Sequence, residues 1–168
     1  MIKIPQPADL LQGMAKDLRQ RLDQQHIGNP CMIGIQTGGV WVAKQLHKAL
    51  GLSQPLGKLN ITFYRDDFTR IGMHPQVTPS SLDFAVDDQH IILVDDVLHT
   101  GRTIRAALNE IFDYGRPASV ILVTLVDRPG RELPICADVT GVQLPLSEHQ
   151  HIKLTGPEPL QLVLQETA

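Results

Sequence analysis

The stretch Ile91-Ile92-Leu93-Val94-Asp95-Asp96-Val97-Leu98-His99-Thr100-Gly101-Arg102-Thr103 decides how this chain is read. The apolar run predicts a strand over 90–94, buried on both faces. Two carboxylates follow at its carboxyl end, then a small-residue turn, then a helix over 103–114. Backbone N–H groups at a helix N-terminus make a cradle for a phosphate. The hydroxyls of Thr100 and Thr103 add donors, and Gly101 permits close approach. Carboxylates beside an anion site make sense when the ligand is a sugar phosphate. Asp95 and Asp96 can then accept hydrogen bonds from a ribose 2′,3′-diol, while Val97, Leu98, His99, Thr100, Gly101, Arg102 and Thr103 hold the 5-phosphate. His99 is expected to turn its ring outward and its N–H toward the phosphate. The plainer reading makes Asp96 a helix cap and Thr100-Gly101 an ordinary turn; the register of the whole string favours the ligand. Rival phosphate motifs fail, because GxxxxGK[ST] is absent and no GxGxxG follows the first strand.

Working outward, apolar residues at Leu10, Leu11, Met14, Leu18 and Leu22 predict a helix over 7–25, stopped by Gly28-Asn29-Pro30. A strand over 31–36 runs into Thr37-Gly38-Gly39, and a helix over 40–50 ends at Gly51. Residues 59–65 read as a strand, 66–81 as a long loop, 120–126 as a strand, and 160–164 as a last short strand. The middle is β-α-β-loop-β-α-β, the pattern of a parallel sheet with helices on both faces. Ligands of such sheets sit outside the carboxyl ends of the strands. That brings Thr37-Gly38-Gly39, the 66–81 loop and Asp95 to Thr103 to one edge.

Composition excludes several classes. The chain has 168 residues, 42% hydrophobic and 20% charged, enough for one domain with a real core. A net charge of −3 gives no general attraction for nucleic acid. Cys31 and Cys136 are the only cysteines, too few for a disulfide framework or a four-ligand zinc site, and both read as small buried hydrophobes. No apolar run is long enough to span a bilayer and the N-terminus has no signal core, so a cytoplasmic location is expected.

The 91–103 string matches, at every defining position, the 5-phosphoribosyl-1-pyrophosphate (PRPP) signature of the type I phosphoribosyltransferases, and the chain resembles that family. Three more strings resemble one branch of it, the PyrR family of pyrimidine-operon regulators that are also uracil phosphoribosyltransferases. They are Leu59 to Asp67 with Tyr64-Arg65-Asp66-Asp67, then Gly115-Arg116-Pro117, then Val126-Asp127-Arg128-Pro129-Gly130-Arg131-Glu132-Leu133-Pro134.

The resemblance implies an α/β fold of type I phosphoribosyltransferase kind: a central parallel β-sheet flanked by helices, with a small C-terminal hood. One domain spans 1–168, with its core over about 7–127 and the hood over about 128–168. The resemblance also implies conversion of uracil and PRPP to UMP and pyrophosphate, and UMP-responsive regulation of pyrimidine genes. Thr37, Gly38 and Gly39 become the pyrophosphate loop, whose paired glycines open backbone conformations closed to other residues. Asp95, Asp96 and Arg65 become the catalytic groups, and Asp127, Val139, Thr140 and Gly141 the base site, with the last three in the hood. Mg2+ is expected on the pyrophosphate, held through substrate and water rather than by assigned protein ligands. Arg70 and His74 of the long loop are within reach of the pyrophosphate on this scheme, although surface charge is their default.

Departures from the family pattern narrow the reading. Purine enzymes of the family carry Lys where Asp127 stands, and a carboxylate there accepts instead of donating. Whether Asp127 touches the base, caps a turn or pairs with an arginine stays open. Gly38 replaces the arginine usual in the family's pyrophosphate loop. RNA-binding relatives use basic residues that are missing after Pro134, and residues 127–153 hold Arg128, Arg131 and Lys153 against Asp127, Glu132, Asp138 and Glu148. Binding of an RNA leader is therefore expected to be weak. A homodimer or higher oligomer is expected. The alternatives are a nucleotide-sensing regulator with little catalysis, or a purine or orotate enzyme.

Overall fold

A computed structural model describes residues 2–61 and 80–167. Helix α1 spans Pro7–Gln24 and strand β1 Cys31–Ile35. Helix α2 spans Gly38–Leu50, followed by β2 over Gly57–Leu59 and β3 over His90–Leu98. Helix α3 covers Arg102–Tyr114, and strands β4 to β7 cover Ser119–Asp127, Val139–Gln143, Gln150–Thr155 and Gln161–Glu166. The first five strands form one parallel sheet in the order β2-β1-β3-β4-β5. β6 and β7 pair antiparallel as a separate hairpin.

The sheet is buried because its strands are apolar on both sides. Alternate residues of β3 feed two cores. Ile92 and Val94 pack with Met14, Leu18, Val42 and Leu46 of α1 and α2, and with Ile152 and Leu154 of β6. Ile91 and Leu93 pack with Ile104, Ala107 and Ile111 of α3. Helices therefore cover both faces. After β1 the chain moves outward to β2 and then returns past β1 to β3, so strand order reverses between β1 and β3. A crevice at that reversal, outside the carboxyl ends, is where such sheets bind ligands.

The expected elements need four corrections. β3 continues through Asp95 to Leu98, because Val97 and Leu98 remain in register with Val126 and Asp127 of β4. Of the strand expected over 59–65, only Leu59 is in β2; Asn60 and Ile61 are not extended into the sheet, and 62–65 lie outside the described residues. Val139–Gln143 does not belong to a C-terminal hood. It is the fifth strand of the main sheet, and its Gly141 packs so closely on the rest that an added Cβ would stand 2.5 Å from the Leu125 carbonyl and 2.9 Å from Met14 Sδ. Cys31 is buried, but Cys136 is exposed. The segment before β5 runs over the surface, where Ile135 and Ala137 lean on the second core and Cys136 between them faces out.

Candidate active site

The two loops that meet at the strand reversal are those expected to bind PRPP. Asp95 is 3% exposed, and its Oδ1 accepts the N–H of Asp96 at 2.9 Å. Asp96 is half-buried, and its Oδ1 accepts the N–H of Val97 at 2.9 Å. Thr124 of β4 stands beside Asp95 in register, and its hydroxyl is buried without a partner among the described residues.

Across the crevice α2 begins at Gly38, with Thr37 before it. Gly38 and Gly39 are already helical and buried, so their glycine identity answers to contact and not to unusual dihedrals. A Cβ on Gly39 would lie 2.7 Å from the Val94 carbonyl oxygen and 3.0 Å from Asp95 Cα. A Cβ on Gly38 would meet the Asp96 carboxylate. The absent arginine at Gly38 is thus compatible with a carboxylate sitting directly over that position. The result is that the first amides of α2, where the helix dipole is positive, abut the carbonyl ends and carboxylates of β3.

The turn expected to hold the 5-phosphate is shorter than the sequence implies. Val97 and Leu98 are strand residues and Leu98 is buried in the second core, which leaves His99, Thr100 and Gly101 before α3 opens at Arg102. Gly101 has φ +94°, a left-handed conformation that glycine adopts freely. Thr100 Oγ1 accepts the Arg102 N–H at 3.2 Å, and Thr103 lies in the first turn of α3. The His99 ring is half-buried and does not point outward. It packs over the 128–131 turn, with Nε2 2.7 Å from where a Gly130 Cβ would stand. Burial, reinforced by the nearby Arg128 charge, lowers its pKa, which favours a neutral ring.

That 128–131 turn is fastened to the phosphate turn throughout. The carbonyl of Thr100 accepts the N–H groups of Glu132 and Leu133 at 2.9 and 3.1 Å, and Leu98 O accepts Arg128 N–H at 3.0 Å. Arg131 donates to the His99 carbonyl and, through Nη2, to Asp127 Oδ1 at 2.7 Å. Asp127 therefore pairs with an arginine, one of the roles left open. Arg102 and Glu132 also pair at 2.6 Å, but both are half-exposed and that pair contributes little.

Beside Asp127 lies a cavity of about 430 Å³ at the carboxyl ends of β4 and β5, lined by Asp127, Arg128, Pro129, Arg131, Gln143, Leu144 and Pro145. Of the four residues expected at the base, only Asp127 borders it. Val139 is buried in the first core, and Val139 and Thr140 border a different hollow shared with Asp17 and Arg21 of α1. Arg131 and Gln143 were not among the expected base contacts. Their signal was present in the sequence: an arginine four residues past Asp127 across Pro129-Gly130, and a polar residue just before Leu144-Pro145. Arg65, Arg70 and His74 lie outside the described residues. Among the described residues, no group of three or more His, Cys, Asp or Glu is gathered for a metal, and no helix is long and apolar enough to cross a membrane.

Comparison with known proteins agrees with this fold. A family model for the phosphoribosyl transferase domain matches residues 3–157. The chain is 61% identical to the bifunctional protein PyrR of Nitrosococcus oceani, with 98% of this chain and 97% of that protein covered. It is 57% identical to the bifunctional protein PyrR of Pseudomonas putida, with 99% and 97% covered. Among solved structures, a hypoxanthine-guanine phosphoribosyltransferase from Bacillus anthracis matches with a TM-score of 0.68 at 18% identity, over 86% of this chain and 84% of that one. The hypoxanthine phosphoribosyltransferase of Trypanosoma cruzi gives 0.66 at 22% identity, over 88% and 80%. At those identities the two structures speak for the fold alone.

Proposed function

This chain belongs to the PyrR family of phosphoribosyltransferases, and from that premise we propose that it makes UMP and pyrophosphate from uracil and PRPP and serves as a UMP-responsive regulator of pyrimidine genes. The observation that carries the catalytic reading is the meeting of Asp95 and Asp96 with the first turns of two helices at the strand reversal. The amides of 99–103 face the 5-phosphate, the two carboxylates accept from the ribose hydroxyls, and the start of α2 faces the pyrophosphate. The bond from the anomeric carbon to pyrophosphate breaks through an oxocarbenium-like state. Uracil N1 bonds to that carbon from the opposite face, and its proton passes to solvent. Arg65 adds positive charge at the leaving group.

Magnesium fits as an ion borne by substrate. Asp95 and Asp96 are the acidic pair beside the ribose, and they would hold it through water. When bound it neutralises charge on the leaving pyrophosphate.

The 430 Å³ cavity at Asp127 suits the base. Uracil presents acceptor, donor and acceptor along O2, N3–H and O4. Asp127 can accept from N3–H, while Arg131 and Gln143 can donate to the oxygens. A 6-oxopurine needs donors at O6 and N7, and the carboxylate opposes that. The test is an assay with PRPP, Mg2+ and each of uracil, hypoxanthine, guanine and orotate. Uracil should lead the others in kcat/KM by at least about tenfold, roughly 1.4 kcal/mol. Efficient turnover of hypoxanthine would refute the assignment. Tight UMP binding with negligible turnover would point instead to a nucleotide sensor.

The regulatory arm does not lean on tight RNA binding. Within 127–153, Arg128 is buried and Arg131 is paired with Asp127, which leaves Lys153 as the exposed cation there. Lys16, Arg19, Lys44 and Lys48 are exposed on α1 and α2 and would form a patch only if subunits of a homodimer gathered them. Affinity for RNA comes largely from released counterions. A gel shift with the pyrimidine-operon leader should therefore show weak binding or none. Tight, UMP-enhanced, salt-sensitive binding would overturn this part.

A further inference from the structure

We propose that Arg128 is a positioning residue that sets the width of the base pocket, a role that rests on the pocket reading above. Arg128 follows β4 directly and is 5% exposed. Its Nη1 donates to the Gln150 carbonyl at 2.7 Å and its Nη2 to the Ser147 carbonyl at 2.9 Å. Its backbone N–H is fixed at 3.0 Å to Leu98 O, at the end of the strand that carries Asp95 and Asp96. One residue thus ties the phosphate turn to the 147–150 turn. The two pocket walls, Asp127–Arg131 and Gln143–Pro145, already meet at the β4–β5 ladder, where Asp127 pairs with Gln143 and Leu144 N–H donates to the Asp127 carbonyl at 2.9 Å; Arg128 adds the tie to the chain beyond Pro145.

The arrangement is a costly one if stability were its only purpose. A guanidinium stays charged when buried, and here its hydrogen-bond acceptors are neutral carbonyls. Its Nε is buried with no partner among the described residues. Burial accordingly lowers its pKa. What the planar fork supplies is geometry: two carbonyls held at fixed positions by one rigid group. Of the 147–150 turn only Gln150 is in a ladder, where it pairs with Glu166 of β7, and His149 offers its carbonyl to the Thr167 N–H. Without the fork, the chain beyond Pro145 loses its tie to the 128–131 turn, so the far end of the pocket wall can shift while its near end stays paired with Asp127.

The experiment measures KM for uracil and for PRPP separately in Arg128→Lys, Arg128→Gln and Arg131→Gln, with circular dichroism and thermal melting of each. Lysine keeps the charge but cannot bridge both carbonyls. Arg128→Lys is therefore expected to raise the uracil KM about tenfold while leaving the PRPP KM within about twofold. Arg128→Gln, which keeps a donor but no charge, should behave likewise. A fourth variant, Arg128→Ala, should show the same rise in uracil KM, and millimolar ethylguanidinium should recover part of that loss. Equal rises in both KM values would overturn the proposal in favour of a merely structural role. A rise in uracil KM for Arg131→Gln but not for Arg128→Lys would overturn it alone. No rise in any of the variants would sink the pocket reading beneath it.

Discussion

Replacing Asp95 and Asp96 together by asparagine should lower kcat/KM for UMP formation by roughly a thousandfold, about 4 kcal/mol at 1.4 kcal/mol per decade, while leaving the fold intact. Asparagine keeps the size of each side chain. Its amide oxygen can still accept the Asp96 and Val97 N–H groups now bound by the two Oδ1 atoms. What is lost is charge: two acceptors for the ribose diol, and the negative field beside the carbon that becomes cationic as pyrophosphate leaves. Charge-assisted hydrogen bonds are about twice as strong as neutral ones, and these are needed most in the transition state. The comparison is steady-state kinetics beside thermal melting. Near-normal turnover in the double variant would remove the ribose assignment.

Gly39→Ala should damage both stability and rate. The new methyl would press on the Val94 carbonyl and Asp95 Cα, which are backbone atoms of a central strand and cannot rotate aside. Relief requires α2 to back away from β3. Overpacking of this kind costs about 1–3 kcal/mol, a drop of roughly 2–12 °C in Tm for a chain of this size. Moving the first amides of α2 by even about 1 Å from the carboxylates should cost about a hundredfold in kcat/KM. Gly13 is the matched control: it lies mid-helix in α1 with nothing within 4 Å of an added Cβ. Gly13→Ala should keep full activity and gain a little stability. Wild-type Tm and turnover in Gly39→Ala would mean the crevice tolerates a wider gap than the close packing implies.

How legible the molecule was depends on how local each signal is. Ile91 to Val94 with Asp95-Asp96 and Thr100-Gly101 marks a central strand and a helix start within thirteen residues, and the structure has both, with the strand running on to Leu98. The length of β3 was missed because Asp95 and Asp96 look like a strand end. Their backbones stay in the ladder because β4 is equally long and Val97 and Leu98 have partners in it. The glycines at 38 and 39 were read as opening unusual backbone conformations, whereas both are helical and the close approach of β3 is what requires them. Only the three-dimensional fit shows β3 at 2.7 Å from a would-be Cβ on Gly39.

β5 was illegible for a different cause. Val139-Thr140-Gly141 is short and interrupted by a glycine, and its partners are α1 and β4, more than a hundred and about sixteen residues away. No local pattern announces such packing. In the structure Val139 and Gly141 pack inside the fold, and the cavity beside Asp127 is bordered by Arg131 and Gln143 instead. The Asp127–Arg131 pair itself was half-visible, since four-residue spacing across a Pro-Gly turn allows the contact without requiring it.

The most direct test of the whole account is a crystal structure of the chain with UMP bound. The account places the 5-phosphate on the amides of His99 to Thr103, the ribose hydroxyls on Asp95 and Asp96, and the uracil ring in the cavity between Asp127–Arg131 and Leu144–Pro145. A uracil ring lying instead against Val139–Gly141, or a ribose turned away from the two carboxylates, would contradict it.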